Sequence, residues 1–313
     1  MFVGAIYNFK RNAARKWITV RTSFWYIWLQ STFKKVILYL LLIDGAFVFL
    51  LPVLYMLILS FFTVEDLLDN SIRWVPVHLF VENYQTAFKL LDYISSLLTT
   101  LLLSMVAVFG QVIFGGFAGY ALSREDLPCR KWIMGLVILV LVIPNQAMVL
   151  PNYIYFYKLR LQESIWPLIL PELLGNGLYG ALFIFVFRQV FTDIPKALED
   201  AAAIDGAGFM KTFRLIVAPL AQNAYLTVGL FSFVLHWNEY IRPHSYLSVR
   251  GGIKTLSLAL SYFFLYDPNT GLPITNEAVK GAGVILVMAP VVLIYSLVQK
   301  YFIKGIQFTG IKG

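Results

Sequence analysis

The chain has 313 residues, 59% of them hydrophobic and only 13% charged, with a mean hydropathy of +0.73. Soluble domains carry about 25% charged residues, so this composition excludes a pair of ordinary soluble domains and points to one polytopic membrane domain. The formal charge of +8 lies mostly beside apolar runs, which suits loops facing an anionic leaflet and speaks against a nucleic-acid partner.

Residues 1–35 carry Lys10, Arg11, Arg15, Lys16, Arg21, Lys34 and Lys35 and no acidic residue. With Trp17, Phe24, Trp25, Tyr26 and Trp28 among them, they are expected to form a basic arm lying on the cytoplasmic face of the bilayer. The apolar run that follows is too long for a signal-peptide core and has no small-x-small cleavage site, so it reads as a retained first span. A bilayer core of about 30 Å needs roughly 20 apolar residues per helix. Six stretches qualify: 36–62, 95–121, 132–157, 165–190, 219–241 and 280–303. The third and fourth contain Pro144, Pro151, Pro167 and Pro171, which membrane helices tolerate where neighbours satisfy the freed carbonyls. Thr255 to Tyr266 is apolar but too short to span and is expected to be a surface helix on the outer side.

The distribution of lysine and arginine sets the orientation. The 63–94 connection holds Arg73 and Lys89 against Glu65, Asp66, Asp69, Glu82 and Asp92, so it belongs outside. Six spans then return both termini to the cytoplasm, together with the 122–131 loop (Arg124, Arg130, Lys131) and the 191–218 loop. The outer 242–279 loop, with Arg242, Arg250 and Lys254, fits less cleanly. The expected division is a basic arm at 1–35, a membrane domain at 36–303 and a cytoplasmic tail at 304–313. Single Cys129 excludes an intrachain disulfide and a cysteine-based metal cluster, and His78, His236 and His244 lack zinc-ligand spacing.

The 191–218 loop is the most informative segment. Thr192, Asp193 and Pro195 signal a helix start, strong helix formers run from Lys196 to Ile204, and Gly206 is placed to end the helix in a left-handed conformation. Ala201, Ala202 and Ala203 leave a slim face that another protein can approach. Leu198 and Ile204 are expected to anchor the helix to the membrane domain, leaving Glu199, Asp200 and Asp205 for a partner. A second helix is expected at about 208–217, with Pro219 at the junction to span five. From these residues alone, a solvated amphipathic connector is an equally good reading.

The segment "EDAAAIDGAGFMKTFRLIVAP" resembles the EAA loop of binding-protein-dependent ABC importer permeases: an acid, two alanines, a glycine four residues on, then isoleucine and proline. Those positions are Asp200, Ala201, Ala202, Gly206, Ile216 and Pro219. Asp200 stands where the family has glutamate, with Glu199 beside it, and Ala218 replaces a leucine. Further stretches are similar to maltose-type sugar permeases: "WVPVHLFVENYQTAF", "FAGYALSR", "LVIPNQAMVLPNYIYFYKLRLQES", "HWNEYIRP" and the terminal "KYFIKGIQFTGIKG". The resemblance covers 36–313 and implies an all-α integral membrane protein with the type I ABC importer permease fold. Six transmembrane helices and a cytoplasmic EAA-type coupling helix belong to that fold.

The chain has no GxxxxGK[ST] and so no ordinary phosphate cradle of its own. The resemblance implies a permease subunit of an importer for a sugar or oligosaccharide, binding no cofactor itself. A separate ABC ATPase dimer would use ATP and Mg and engage the helix through Glu199, Asp200, Ala201, Ala202, Asp205 and Gly206. A second homologous permease would complete a heterodimer, and an extracytoplasmic solute-binding protein would deliver the sugar.

Polar groups inside spans are costly and face cavities or partners. The pathway candidates are Gln111, Asn145, Gln146, Glu172, Asn176, Asn238 and Glu239, with Tyr179 and Trp237 as sugar-stacking rings. Helix-to-helix hydrogen bonding and lipid packing are the alternatives for each. Glu172 and Asn176, four apart on one expected helix face beside Gly175, Gly177 and Gly180, rank first. Asp44 inside span one suits a buried pair with another subunit as well as a transport role, and Glu239 and His236 near a span end read as structural. A permease for a glycerol phosphodiester or a peptide is the nearest alternative. A membrane-embedded enzyme lacks a recognisable nucleophile–base motif here, though noncontiguous residues can supply one. A channel has no use for a docking loop.

Overall fold

The structure, a computed structural model, describes residues 24–69, 74–124, 127–175, 177, 179–247, 252–263 and 276–309, without side-chain surroundings at 24–27, 29–30 and 301–309. Most of the basic arm, Arg73, Asn176, Arg250 and the last residues of the tail lie outside the described residues. Among the described residues every regular element is helical. The chain divides into two units, Met1–Ile58 and Leu59–Gly313.

The first unit consists of most of α1, Phe24–Leu59. At 36 residues it is about 54 Å long, more than the bilayer core requires, and Lys34 and Lys35 lie on it. Its apolar side chains are exposed around the circumference, Leu41 at 65% and Phe49 at 85%, as suits a helix solvated by lipid. Asp44 is exposed on it as well.

The second unit begins with α2 (Val64–Leu68), started by a Thr63–Asp66 capping box, and α3 (Glu82–Leu90). Buried Asn83 donates from Nδ2 to the carbonyls of Ser60 and Phe62 at 3.0 and 2.9 Å, fixing α3 to the chain just before α2. Next, α4 (Tyr93–Gly110), a π-helical turn (Gln111–Gly115) and α5 (Gly116–Ser123) form one continuous span of 31 residues.

Two expected spans are broken. In the third, α6 (Arg130–Val142) is followed by a 3-10 turn (Asn145–Met148) and α7 (Val149–Lys158), with a bend of 94°. Pro144 lies at the break, where its missing N–H and its ring oppose helix continuation. In the fourth, α8 (Trp166–Leu173) stops before Gly175, whose φ of +66° only glycine adopts without strain, and α9 (Gly180–Thr192) follows. The helix that carries Glu172 ends at Leu173, short of the further turn that the expected common face requires; Asn176 itself lies outside the described residues.

The loop helix is α10 (Ala197–Ile204). It is followed by α11 (Phe209–Thr212), a π turn (Phe213–Val217), α12 (Ala218–Leu220) and, after a 77° bend, α13 (Gln222–Trp237). Then come α14 (Ile241–Tyr246), α15 (Leu256–Phe263) and α16 (Glu277–Thr309). The latter runs past 303 into the segment expected as tail.

The surface-helix expectation for 255–266 is overturned for its described part. Leu256 and Leu258 are 0% and 1% exposed, and α15 packs against α4 and α16. The Leu256 amide donates to Thr100 Oγ1 at 2.8 Å.

Close helix contacts rest on glycine. A Cβ at Gly119 would lie 2.5 Å from Phe187 Cβ, and one at Gly110 would lie 1.7 Å from the Glu172 carbonyl oxygen. These positions let α5 meet α9, and α4 meet α8, backbone to backbone, the small-residue packing that membrane helices rely on without a hydrophobic drive. Around the first contact Tyr120, Phe183, Phe187, Phe191, Phe213 and Val217 form a buried cluster.

Candidate functional site

Two regions carry functional side chains, the loop helix and a buried charge cluster. Helix α10 forms for local reasons. Pro195 precedes it, its alanines and leucine are strong helix formers, and Glu199 and Asp200 in its first turn complement the dipole. It closes in a Schellman motif: the Ala207 amide donates to the Ala202 carbonyl at 2.9 Å and the Gly206 amide to Ala203 at 3.0 Å. Gly206 has φ +75°, the left-handed conformation its position foretells.

The helix presents two faces. Ala202 is 5% exposed, turned inward with Glu199. Tyr120 donates from its hydroxyl to Glu199 Oε2 at 2.8 Å, Arg124 Nη2 pairs with Glu199 Oε1, and Arg124 Nη1 donates to the Phe191 carbonyl at 2.9 Å. Asp200, Ala201, Asp205 and Gly206 are exposed. The expected anchors are not anchors: Leu198 is 42% and Ile204 88% exposed. A carboxylate and an alanine hold the helix where two aliphatic side chains were expected. Glu199 is thus committed to its own chain rather than presented outward.

The second region centres on Glu172, 1% exposed on α8. Its Oε1 accepts from Arg242 Nη1 at 2.9 Å and lies 3.0 Å from His236 Nε2. Oε2 accepts from Gln111 Nε2 at 2.8 Å. Arg242 also donates from Nε to Glu239 Oε2 at 3.3 Å, and its amide to Glu239 Oε1 at 3.1 Å. Four helices and one loop side chain thus converge: Gln111 from the π turn, Glu172 from α8, His236 from α13, Arg242 from α14 and Glu239 between the last two. A buried charge is tolerated only when paired and hydrogen-bonded in this way. Gly177 fits against it, since a Cβ there would lie 1.7 Å from Glu172 Oε2.

Beside the cluster is a cavity of about 690 Å³ formed by the bend of α6 and α7 with α8, α9 and α14. Asn145, Asn152, Tyr155, Tyr179, Arg242 and Tyr246 line it among apolar side chains. Tyr179 meets His236 edge-on at 6.3 Å. Asn145 and Tyr179 therefore face the cavity, while Gln111, Glu172 and Glu239 build the network beside it.

Other candidates are elsewhere. Gln146 is exposed, and Asn238 donates to the Val234 carbonyl at 2.8 Å from an exposed position. Trp237 is no stacking ring: it is 1% exposed, packs with Leu91, Leu256 and Val279 and donates from Nε1 to the Val287 carbonyl at 3.4 Å. Arg242, placed in a loop by the sequence, is the cluster residue missed, with its spacing of three from Glu239 the available signal; the cavity-lining Asn152, Tyr155 and Tyr246 were missed as well. Among the described residues no group of three or more His, Cys, Asp or Glu could hold a metal ion.

Broken apolar spans around a buried charge cluster, with an acid-bearing helix fastened to the end of a span, define a polytopic helical membrane protein. The chain belongs to the family of binding-protein-dependent transport system inner membrane components, whose model matches residues 111–308. It is 27% identical over 293 residues to the Bacillus subtilis polygalacturonan/rhamnogalacturonan transport system permease YtcP, covering 91% of this chain and 100% of that one. The Bacillus subtilis melibiose/raffinose/stachyose import permease MelC is 28% identical over 78% of this chain and 86% of its own. The Halalkalibacterium halodurans arabinooligosaccharide permease AraQ is 28% identical over 86% and 93%. The crystal structure of a bacterial ABC transporter that imports the acidic polysaccharide alginate matches with a TM-score of 0.74 at 22% identity, over 87% of this chain and 98% of that one. The fold is that of a type I ABC importer permease, and the family serves transport systems that depend on a binding protein.

Proposed function

We propose that the chain is the permease of an importer for a sugar or oligosaccharide, that it pairs with a homologous second permease, and that α10 is the coupling helix. Its termini and α10 lie on the cytoplasmic side, where a partner ATPase pair consumes ATP with Mg. A binding protein delivers the sugar from outside to a pathway that includes the cavity beside Arg242 and Tyr179. The observation that carries the coupling assignment is the exposed run of Asp200, Ala201 and Asp205, closed by left-handed Gly206. The lysines and arginines flanking the same loop support its cytoplasmic side. The sugar assignment is supported by the relatives' substrates and by tyrosine and amide groups lining a largely apolar cavity.

The test has two arms. A cysteine at Ala201 should crosslink to the ATPase in native membranes, and Asp200→Lys should lose the ATPase on purification while still inserting. An uncrosslinked Ala201→Cys or a fully assembled Asp200→Lys would refute the docking role. For substrate, cells should take up labelled raffinose, arabino-oligosaccharide or oligogalacturonide only when the chain is present. Uptake of a glycerol phosphodiester or a peptide with no sugar transported would favour the alternative.

A further inference from the structure

Resting on the reading of α10 as coupling helix, we infer that Glu199, Arg124 and Tyr120 are positioning residues that deliver its motion to the span Tyr93–Ser123. That span is remote in sequence from the 191–218 loop, which joins the fourth and fifth spans. Yet the side chain of Glu199 reaches its end twice, through the hydroxyl of Tyr120 in the last turn and the guanidinium of Arg124, the residue that follows the span. Arg124 also donates to the Phe191 carbonyl near the end of α9, so one cation joins the second span, the fourth span and the loop helix. Its guanidinium carbon lies 5.1 Å from the centroid of the Tyr120 ring, a cation–π geometry that adds to the hold. Tyr120 in turn packs on Phe191, Phe209 and Phe213 at 5.5, 5.4 and 5.0 Å between centroids. The side chains of Arg124 and Glu199 are only 14% and 15% exposed, and such partly buried charge pairs are screened less than surface ones.

The same span holds Gln111, thirteen residues before Arg124, or about 20 Å along a helix. Gln111 is the residue of this span that donates to Glu172. A single helical rod therefore connects the clamp under α10 to the charge cluster beside the cavity. The π turn at Gln111–Gly115 lies where the rod meets that cluster, a common position for such turns at functional sites. Displacement of α10 by a partner is transmitted to the buried charges by this route, in addition to the direct pull on the fourth and fifth spans.

The experiment uses the full complex, purified with its native ATPase and second permease and reconstituted in vesicles, and reads the stimulation of ATP hydrolysis by the native solute-binding protein. Glu199→Gln and Arg124→Leu should each reduce that stimulation by about tenfold, a typical allosteric coupling, while the ATPase still co-purifies. The exchanged pair Glu199→Arg with Arg124→Glu should recover most of it. Tyr120→Phe, which keeps the ring contacts and removes only the hydroxyl, should give a smaller loss and serves if a charge variant does not assemble. Full stimulation in Glu199→Gln, Arg124→Leu or Tyr120→Phe, or a charge exchange no better than its single variants, would overturn the inference. Asp200→Lys separates it from the docking assignment. If that variant loses the ATPase while Glu199→Gln couples normally, docking stands and the clamp falls; if it retains the ATPase, docking itself fails.

Discussion

Replacing Arg242 by methionine removes the one arginine bonded to both Glu172 and Glu239. Glu172 is 1% exposed, so its carboxylate cannot regain water, and breaking a buried pair from one side costs about 3–5 kcal/mol. At 2–4 °C per kcal/mol the unfolding midpoint should drop by roughly 6 °C or more. Glu172→Gln leaves Arg242 paired with Glu239 and keeps the side chain's shape, so it should cost about 1–3 kcal/mol. Combining the two removes the stranded charge, and the double variant should be more stable than Arg242→Met alone. Thermal unfolding in detergent, followed by the fluorescence of the seven tryptophans, measures all three. An Arg242→Met midpoint equal to wild type, or a double variant whose loss equals the sum of the singles, would refute the account of a mutually neutralising buried pair.

Gly206→Val should reduce ATP-coupled uptake through backbone strain of about 1–3 kcal/mol, since nothing lies within 4 Å of its Cβ position. Gly208→Ala, equally open and at φ −75°, should be silent in the same assay. Gly119→Ala must push Phe187 and the Arg188 amide from 2.5 and 2.8 Å, an overpacking that should cost about 1–3 kcal/mol in detergent melts, whereas Gly135→Ala should not. Trp237→Phe should transport at the wild-type rate with a slightly lower melting point, while Tyr179→Ala should slow transport, as measured by initial uptake rates.

The apolar regions and the loop helix were legible because their causes are local. Hydropathy marks the spans, and Pro195, the alanine run and Gly206 delimit α10 within a few residues of each other. The breaks were not legible in the same way. A hydropathy window averages across Pro144 and across the interval between α8 and α9, so two interrupted elements read as continuous ones. The Glu172 cluster joins residues between three and 131 positions apart, from Gln111 to Arg242; only the Glu239–Arg242 step is visible locally. Face assignment on α10 failed because eight residues make barely two turns, too few for apolar periodicity to fix a side. Ile204 reads as core by residue type, but the inward direction is set by Arg124 and Tyr120, some eighty positions earlier.

The half-length helices α6 and α9 have a consequence for biogenesis. Each has 13 residues, about 20 Å of rise, against a hydrocarbon layer of about 30 Å. Neither can rest alone in lipid on leaving the translocon without exposing peptide groups at one end. They pack on each other, so the contacts of α6 are complete only once α9 has emerged nearly forty residues later, although α7 follows α6 at once as the other arm of the broken span.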